Sequence, residues 1–175
     1  RNIDLGNGKV LNNKSFSTNY SDGMIIKYSS SGECEWAKGI GGSNVDNINS
    51  VAETRDGGII AGGSFNSSID LGNGVSLTNN IDYDGMIIKY SAEGECEWAK
   101  AIGGSSDDYI KSVAETRDGG IIAGGGFRSV SITLENGISL KLTSGSYDPD
   151  DGMIIKYNAN GECEWAKGIG GSSDD

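Results

Sequence analysis

The chain has 175 residues, 29 of them glycine and one proline, and a net charge of −11 with no histidine. A domain of about 150 residues hides roughly 70% of its unfolded surface, so this length supports a real core, and so many glycines without collagen's strict period suit tight turns. The acidity argues against a nucleic-acid partner, which needs clustered Lys and Arg, and against an anionic membrane surface.

No apolar run approaches the ~20 residues of a membrane helix, so no membrane insertion is expected, and no signal peptide opens the chain. An internal repeat organises everything else. Asp-Gly-Met-Ile-Ile-Lys-Tyr occurs at 22–28, 84–90 and 151–157, with starts 62 and then 67 residues apart. Gly-Glu-Cys-Glu-Trp-Ala-Lys follows each copy, and Ser-Val-Ala-Glu-Thr-Arg-Asp-Gly-Gly-Ile-Ile-Ala-Gly-Gly occurs at 50–63 and 112–125. The chain starts and stops inside this repeat and is expected to be a piece of something longer.

In chain order, Ile3-Asp-Leu5 and Lys9-Val-Leu11 flank Asn7-Gly8. Alternating apolar residues around Asn-Gly predict a hairpin with a type I′ turn. The device returns around Asn73-Gly74 and Asn136-Gly137. Met24–Tyr28 reads as a strand covered on both faces, and Glu33–Lys38 as the next, with Cys34, Trp36 and Lys38 on one face. A polar loop is expected over Ser43–Asn49. The second repeat then supplies four predicted strands: A (Val51–Arg55), B (Ile59–Gly63), C (Met86–Tyr90) and D (Glu95–Lys100), with the hairpin between B and C. The glycines of B permit close backbone approach. No segment carries a 3.6-residue apolar period, so no helix is predicted.

Short connections make each repeat an antiparallel meander that cannot bury two apolar faces alone. Radial stacking of such sheets is a β-propeller. Residues 1–47 form a partial blade (hairpin, C and D), 48–109 and 110–175 complete blades, all one propeller domain with an incomplete ring. A half-blade exposes strand edges and an apolar face, which invites association with blades of the same or neighbouring chains.

The motifs Ser-Val-Ala-Glu-Thr-Arg-Asp-Gly-Gly, Ile-Ile-Ala-Gly-Gly, Asp-Gly-Met-Ile-Ile-Lys-Tyr and Trp-Ala-Lys with Ile-Gly-Gly-Ser resemble the bacterial seven-bladed β-propeller repeat family. The resemblance implies a secreted or cell-surface bacterial protein, extracellular in location, with no assigned reaction.

The repeats supply their own comparison. Positions identical in all copies serve the shared fold. Trp36, Trp98 and Trp165 are therefore read as inter-blade packing, and Cys34, Cys96 and Cys163 as buried free thiols, because equivalent positions in stacked sheets lie ~10 Å apart, beyond disulfide reach. Asp22, Asp84 and Asp151 read as Asx turns accepting backbone N–H groups, as do Asp46, Asp108 and Asp175. Positions that differ between copies can carry a unique site. The face bearing the hairpins and D–A loops is the expected recognition surface. It collects Asp82, Tyr83, Asp84, Asp107, Asp108, Tyr109, Tyr147, Asp148, Asp150 and Asp151. Asp148, Asp150 and Asp151 are weak calcium candidates, although no complete calcium loop is present; no cofactor is otherwise expected. Tyr20, Tyr83, Tyr109 and Tyr147 are the residues a carbohydrate-binding reading needs.

Nothing points to catalysis: no histidine, nucleophile elbow or phosphate loop is present. The carboxylate pairs Glu33/Glu35, Glu95/Glu97 and Glu162/Glu164 read as a polar blade edge. The expectation is a non-enzymatic interaction or adhesion scaffold with a protein or glycan ligand, or a structural subunit whose blades associate in trans as a closed oligomer or filament.

Overall fold

A computed structural model of the protein describes residues 2–12, 20–79, 82–143 and 150–171. It is all-β. Strands β1 (Asn2–Asp4) and β2 (Val10–Asn12) pair as a hairpin, and β3 (Gly23–Tyr28) pairs with β4 (Cys34–Ile40). The second repeat contributes β5 (Asn47–Glu53), β6 (Ile59–Phe65), the hairpin β7 (Ile69–Gly72) and β8 (Val75–Leu77), then β9 (Asp84–Tyr90) and β10 (Cys96–Ile102). The third contributes β11 (Asp108–Glu115), β12 (Ile121–Phe127), β13 (Ser131–Thr133), β14 (Ser139–Lys141), β15 (Asp151–Tyr157) and β16 (Cys163–Ile169). Two four-stranded antiparallel meanders result, β5-β6-β9-β10 and β11-β12-β15-β16. Among the described residues the sheets form no closed ring, and no helix is long and apolar enough to cross a membrane.

The predicted A strand begins too late in the chain. β5 starts at Asn47, inside the expected loop, and ends at Glu53 rather than Arg55. The cause is a bulge. Ile48 pairs with Gly63 and Ser50 with Gly62, so Asn49 is the extra residue. Ile110 pairs with Gly125 and Ser112 with Gly124, leaving Lys111 as the extra residue of β11. A bulge breaks the period-two pattern and re-aims one side chain, which hides the start of the strand from a search for alternation. The D strands bulge likewise at Glu35, Glu97 and Glu164. Those carboxylates turn to the lysine of the neighbouring strand: Lys27–Glu35 3.4 Å, Lys89–Glu97 3.2 Å and Lys156–Glu164 3.1 Å. They are cross-strand ion-pair partners rather than a bare polar edge. Lys89 and Lys156 also reach Asp56 and Asp118 of the A–B turns, at 3.0 and 3.2 Å. The Thr54 hydroxyl, the Gly58 N–H and Lys89 hold the Asp56 carboxyl down at about 2 against the cost of burial.

Each hairpin turn has positive φ at both central residues, 52° and 74° at Asn73 and Gly74, as a type I′ turn requires. The third turn forms a single 3-10 turn, Glu135–Gly137, with the same left-handed Asn136. The hairpins do not stand out on the D–A face. They fold back along the outer strand, so that Asn73 Nδ2 donates to the Cys96 carbonyl at 3.1 Å, at the opposite end of β10. The reason is apolar: Ile69, Leu71 and Leu77 are buried with Phe65, Met86 and Ile40, between the β3–β4 pair and the next sheet. Ile132, Leu134 and Leu140 fill the same position between the two complete sheets.

At the inner side the sheets approach closely. A Cβ on Gly62 of β6 would lie 2.7 Å from Ile110 and Val113 of β11. At the outer side, Trp36 lies against Tyr90 with ring centroids 5.9 Å apart and donates its Nε1–H to the Ala92 carbonyl at 2.9 Å. Trp98 repeats the contact with Tyr157 (6.2 Å) and the Ala159 carbonyl (3.3 Å). Gly94 and Gly161 sit under these indoles at φ of 84° and 78°, where a Cβ would come within 2.9 and 2.7 Å of the ring. Trp165 is 39% exposed on the outer face of β16. In urea denaturation of the dilute protein, Trp36→Ala is expected to cost about 3–5 kcal/mol, and Trp165→Ala about 1 kcal/mol or less.

Candidate functional site

Where β5 and β11 begin, β6 and β12 end and β9 and β15 begin, the two complete sheets leave an open cleft of about 540 Å³. Asn47, Asn49 and Ser64 line it from one sheet, with Tyr83 and Asp107 from the segments entering β9 and β11. Tyr109, Lys111, Arg128 and Asp150 line it from the other. The strand bulges place Asn49 and Lys111 here.

The lining is cross-braced. The Tyr109 hydroxyl donates to Asp150 Oδ2, and burial together with that carboxylate pushes the phenol above its ordinary range. Lys111 Nζ stands 4.7 Å from the Tyr109 ring centroid. Asp150 also lies 4.0 Å from the Arg128 guanidinium. The Tyr83 N–H donates to Asp107 Oδ1 at 3.2 Å, and Asn49 Nδ2 donates to the Ile110 carbonyl at 2.8 Å. Hydrogen-bond donors, acceptors and both signs of charge therefore face one cleft, beside two phenol rings. Such a surface can hold a polar ligand by hydrogen bonds, with Tyr and Arg supplying most of the contact energy. At the opposite end of the sheets Glu53, Thr54, Arg55, Gly57 and Glu115 line a smaller hollow, where Arg55 and Glu115 answer each other at 3.7 Å.

Below the cleft lies a frame of repeated aspartates. Asp108 is fully buried, accepting from the N–H groups of Gly104, Arg128 and Ser129 and from the Ser129 hydroxyl at 2.6 Å. Asp46 does the same for Gly42, Asn66 and Ser67. These residues tie the D–A loop to the end of strand B, a longer-range bond than the expected Asx turn. Burial raises both carboxyls, and their hydrogen bonds oppose it. Asp84 lies over Gly103, where a Cβ would approach its carboxylate to 1.9 Å. Gly41 and Gly170 make the same room for Asp22 and Asp151, which accounts for the first glycine of the repeated Ile-Gly-Gly; the second, at Gly42 and Gly104, lies against Ser67 and Ser129. Burial first, then the charges of Asp108 and Asp82, raise Asp84 to about 6.

Of the residues expected on the recognition surface, Tyr83, Asp107, Tyr109 and Asp150 meet in the cleft. Asp82 is exposed, outside the cleft lining. Asp84, Asp108 and Asp151 belong to the frame. Asp151 is buried and accepts from the Thr143 N–H and hydroxyl at 2.6 and 2.8 Å. Tyr147, Asp148 and Asp175 lie outside the described residues. Asp150 and Asp151 thus have different partners, and among the described residues no three acidic or sulfur ligands converge as a metal would need. Tyr20 is exposed. Cys34, Cys96 and Cys163 are buried and free, and burial lifts the Cys96 thiol to about 11.

Sequence reasoning missed Asn47, Asn49, Ser64, Lys111 and Arg128. The signal was present: Lys111 stands where the preceding repeat has Asn49, Arg128 where it has Asn66, and Tyr109 where it has Asn47.

Because Asp84 is raised above its ordinary 3.8, the stability it contributes is fully present below that value and lost as pH rises through about 6. Asp84→Asn is expected to raise the unfolding free energy read from urea denaturation at pH 7.5 by about 1 kcal/mol after solvent screening, and to change it little at pH 3.5. Equal shifts at both pH values would contradict this assignment.

No protein-family model matches the chain, and a search of curated proteins finds no significant match, so the chain's own repeats are the comparison on which the site rests.

Proposed function

We propose that this chain is a non-enzymatic binding scaffold: a β-propeller segment, from a secreted or cell-surface bacterial protein, that holds a polar protein or glycan ligand in the cleft between its two complete sheets. The propeller reading is supported by the wedge between sheets. Inner strands meet across glycine, while outer strands are spaced by a hairpin. Such a taper is what sheets arranged around an axis need, and it supports the reading.

One observation carries the binding reading. The cleft's lining differs between repeats at Asn47/Tyr109, Asn49/Lys111, Ser64/Gly126 and Tyr83/Asp150, whereas the frame residues Asp46/Asp108 and Asp84/Asp151 are identical. A unique surface on a repeated frame is how a rigid scaffold acquires one specific site. Lys111 over the Tyr109 ring occupies the face a sugar would stack on, so recognition is by hydrogen bonds and charge.

Glycan and peptide arrays test this. Tyr109→Phe and Lys111→Ala are each expected to weaken the bound class at least tenfold, as truncation of anchor residues does. Asn160→Ala, at the other end of the sheets, is expected to leave it unchanged. Binding indifferent to the cleft substitutions would remove the site, and turnover of a bound probe would remove the non-enzymatic reading.

A further inference from the structure

The cleft holds two charges that the fold leaves unmatched. Elsewhere Lys27, Lys89, Lys100 and Lys156 each stand against a carboxylate. Lys111 is exposed and lies over the Tyr109 ring, and among the described residues it is in no ion pair. A chain with 25 acids against 14 bases has carboxylates to spare, so their absence around this ammonium marks it as available. Asp107 is its counterpart. Its Oδ1 accepts the Tyr83 N–H at 3.2 Å, and among the described residues it too is in no ion pair. Asp150, by contrast, is engaged by the Tyr109 hydroxyl and stands 4.0 Å from Arg128. Gly126 leaves the room that Tyr109 occupies: a Cβ there would lie 2.7 Å from its hydroxyl oxygen and 2.8 Å from Cε2. The preceding repeat has Ser64 at that place, so this wall belongs to the third repeat alone.

We infer that the ligand of the cleft is a peptide segment that brings an acidic side chain to Lys111 and a basic side chain, close to it in sequence, to Asp107. The inference rests on the cleft being the binding site and adds what that site selects. A peptide supplies both signs of charge on neighbouring side chains, whereas an acidic glycan supplies only the negative one. The Tyr109 face that a sugar would stack on is covered by Lys111. Asn47, Asn49 and Ser64 add amide and hydroxyl groups to the lining, and these can answer the N–H and C=O groups of a peptide backbone. The chain carries a net charge of −11. A segment of balanced charge is not repelled by it at separations beyond a Debye length of ~8 Å, so the local match decides.

A peptide library tests this by fluorescence anisotropy against the whole chain. Glycine–serine peptides carry one acidic and one basic residue at varied spacing, or only one of them, or neither. Peptides with both charges are expected to bind tightest, and replacing the Glu of the best one by Gln to weaken it about tenfold. Lys111→Met keeps an apolar stem over Tyr109 and is expected to abolish the preference for Glu over Gln while the preference for the basic residue remains. Asp107→Asn keeps an acceptor for the Tyr83 N–H and is expected to do the reverse. Lys111→Glu is expected to recover binding to peptides whose Glu is replaced by Lys, which a misfolded variant could not do. The inference is overturned if no peptide binds, if both charge preferences survive these substitutions, or if only the arrayed glycans bind. Peptides that bind without charge preference, yet lose affinity in Tyr109→Phe, would overturn it and leave the cleft in place as the site. Binding indifferent to both Tyr109→Phe and Lys111→Met would remove the cleft itself.

Discussion

The structure depends on one contact, the indole of each D strand lying on the glycine and tyrosine of the repeat that follows. An antiparallel meander has two apolar faces and cannot cover either alone. The indole supplies a large area across the gap, and its N–H finds a carbonyl in the next C–D turn, which a buried polar hydrogen requires. That geometry restricts the turn. Gly94 and Gly161 need left-handed φ for the chain reversal and also lack room for a Cβ. Two independent reasons at one position explain why the glycine that opens each Gly-Glu-Cys-Glu-Trp block returns without change. Sheets bound by such contacts gain stability mainly from nearest neighbours. Accordingly β9, with a sheet on both sides, is buried throughout most of its length, while β3 is half open.

Against this constant packing the ends of the strands divide into two layers. The lower layer is repeated: Asp46 and Asp108 gather N–H groups from two loops, and Asp22, Asp84 and Asp151 lie over glycines. Gathering buried carboxylates is costly unless their oxygens are hydrogen-bonded. Asp108 meets that condition with four donors. Asp84, half-buried beside the negative Asp108 and Asp82, holds its proton to about pH 6 instead. The upper layer is free to vary because it bears none of this load, and it is there that Tyr109, Lys111 and Arg128 replace asparagines.

Much of the fold was legible in the sequence. Asn-Gly between alternating apolar residues marks a hairpin because few residues accept left-handed φ at both central positions, and Asn73-Gly74 adopts it. The meander was legible because turns such as Asp56-Gly57-Gly58 leave no length for a crossover. The bulges were not. An extra residue at Asn49 or Lys111 erases the alternation by which a strand is recognised, so the pattern places the start of strand A at Val51 rather than Asn47. The hairpin's direction was hidden as well, since its apolar residues demand burial but do not say against which neighbour. The cleft was half legible. Its tyrosines and aspartates stand out locally, but its cations are brought there by β11 and the end of β12, and only pairing across the sheets shows that they converge.

The contact that holds the sheets together and the surface proposed to bind are therefore not separable. The cleft has one wall from each complete sheet, so its width is set by the spacing between them. That spacing is fixed at the outer edge by Trp98 on Tyr157 and Gly161, and at the inner edge by Gly62 under Ile110 and Val113. Cross-bracing within a wall, as between Tyr109, Asp150 and Arg128, fixes side chains but not the distance between walls. A substitution under the indole is far from the cleft along the strands, yet it acts on the same rigid-body relation. Densely packed sheet interfaces transmit such displacement because they have little free volume to absorb it. Repetition thus does two things here. It supplies identical contacts that set the spacing, and it leaves the strand ends unconstrained enough for one repeat to differ from the next.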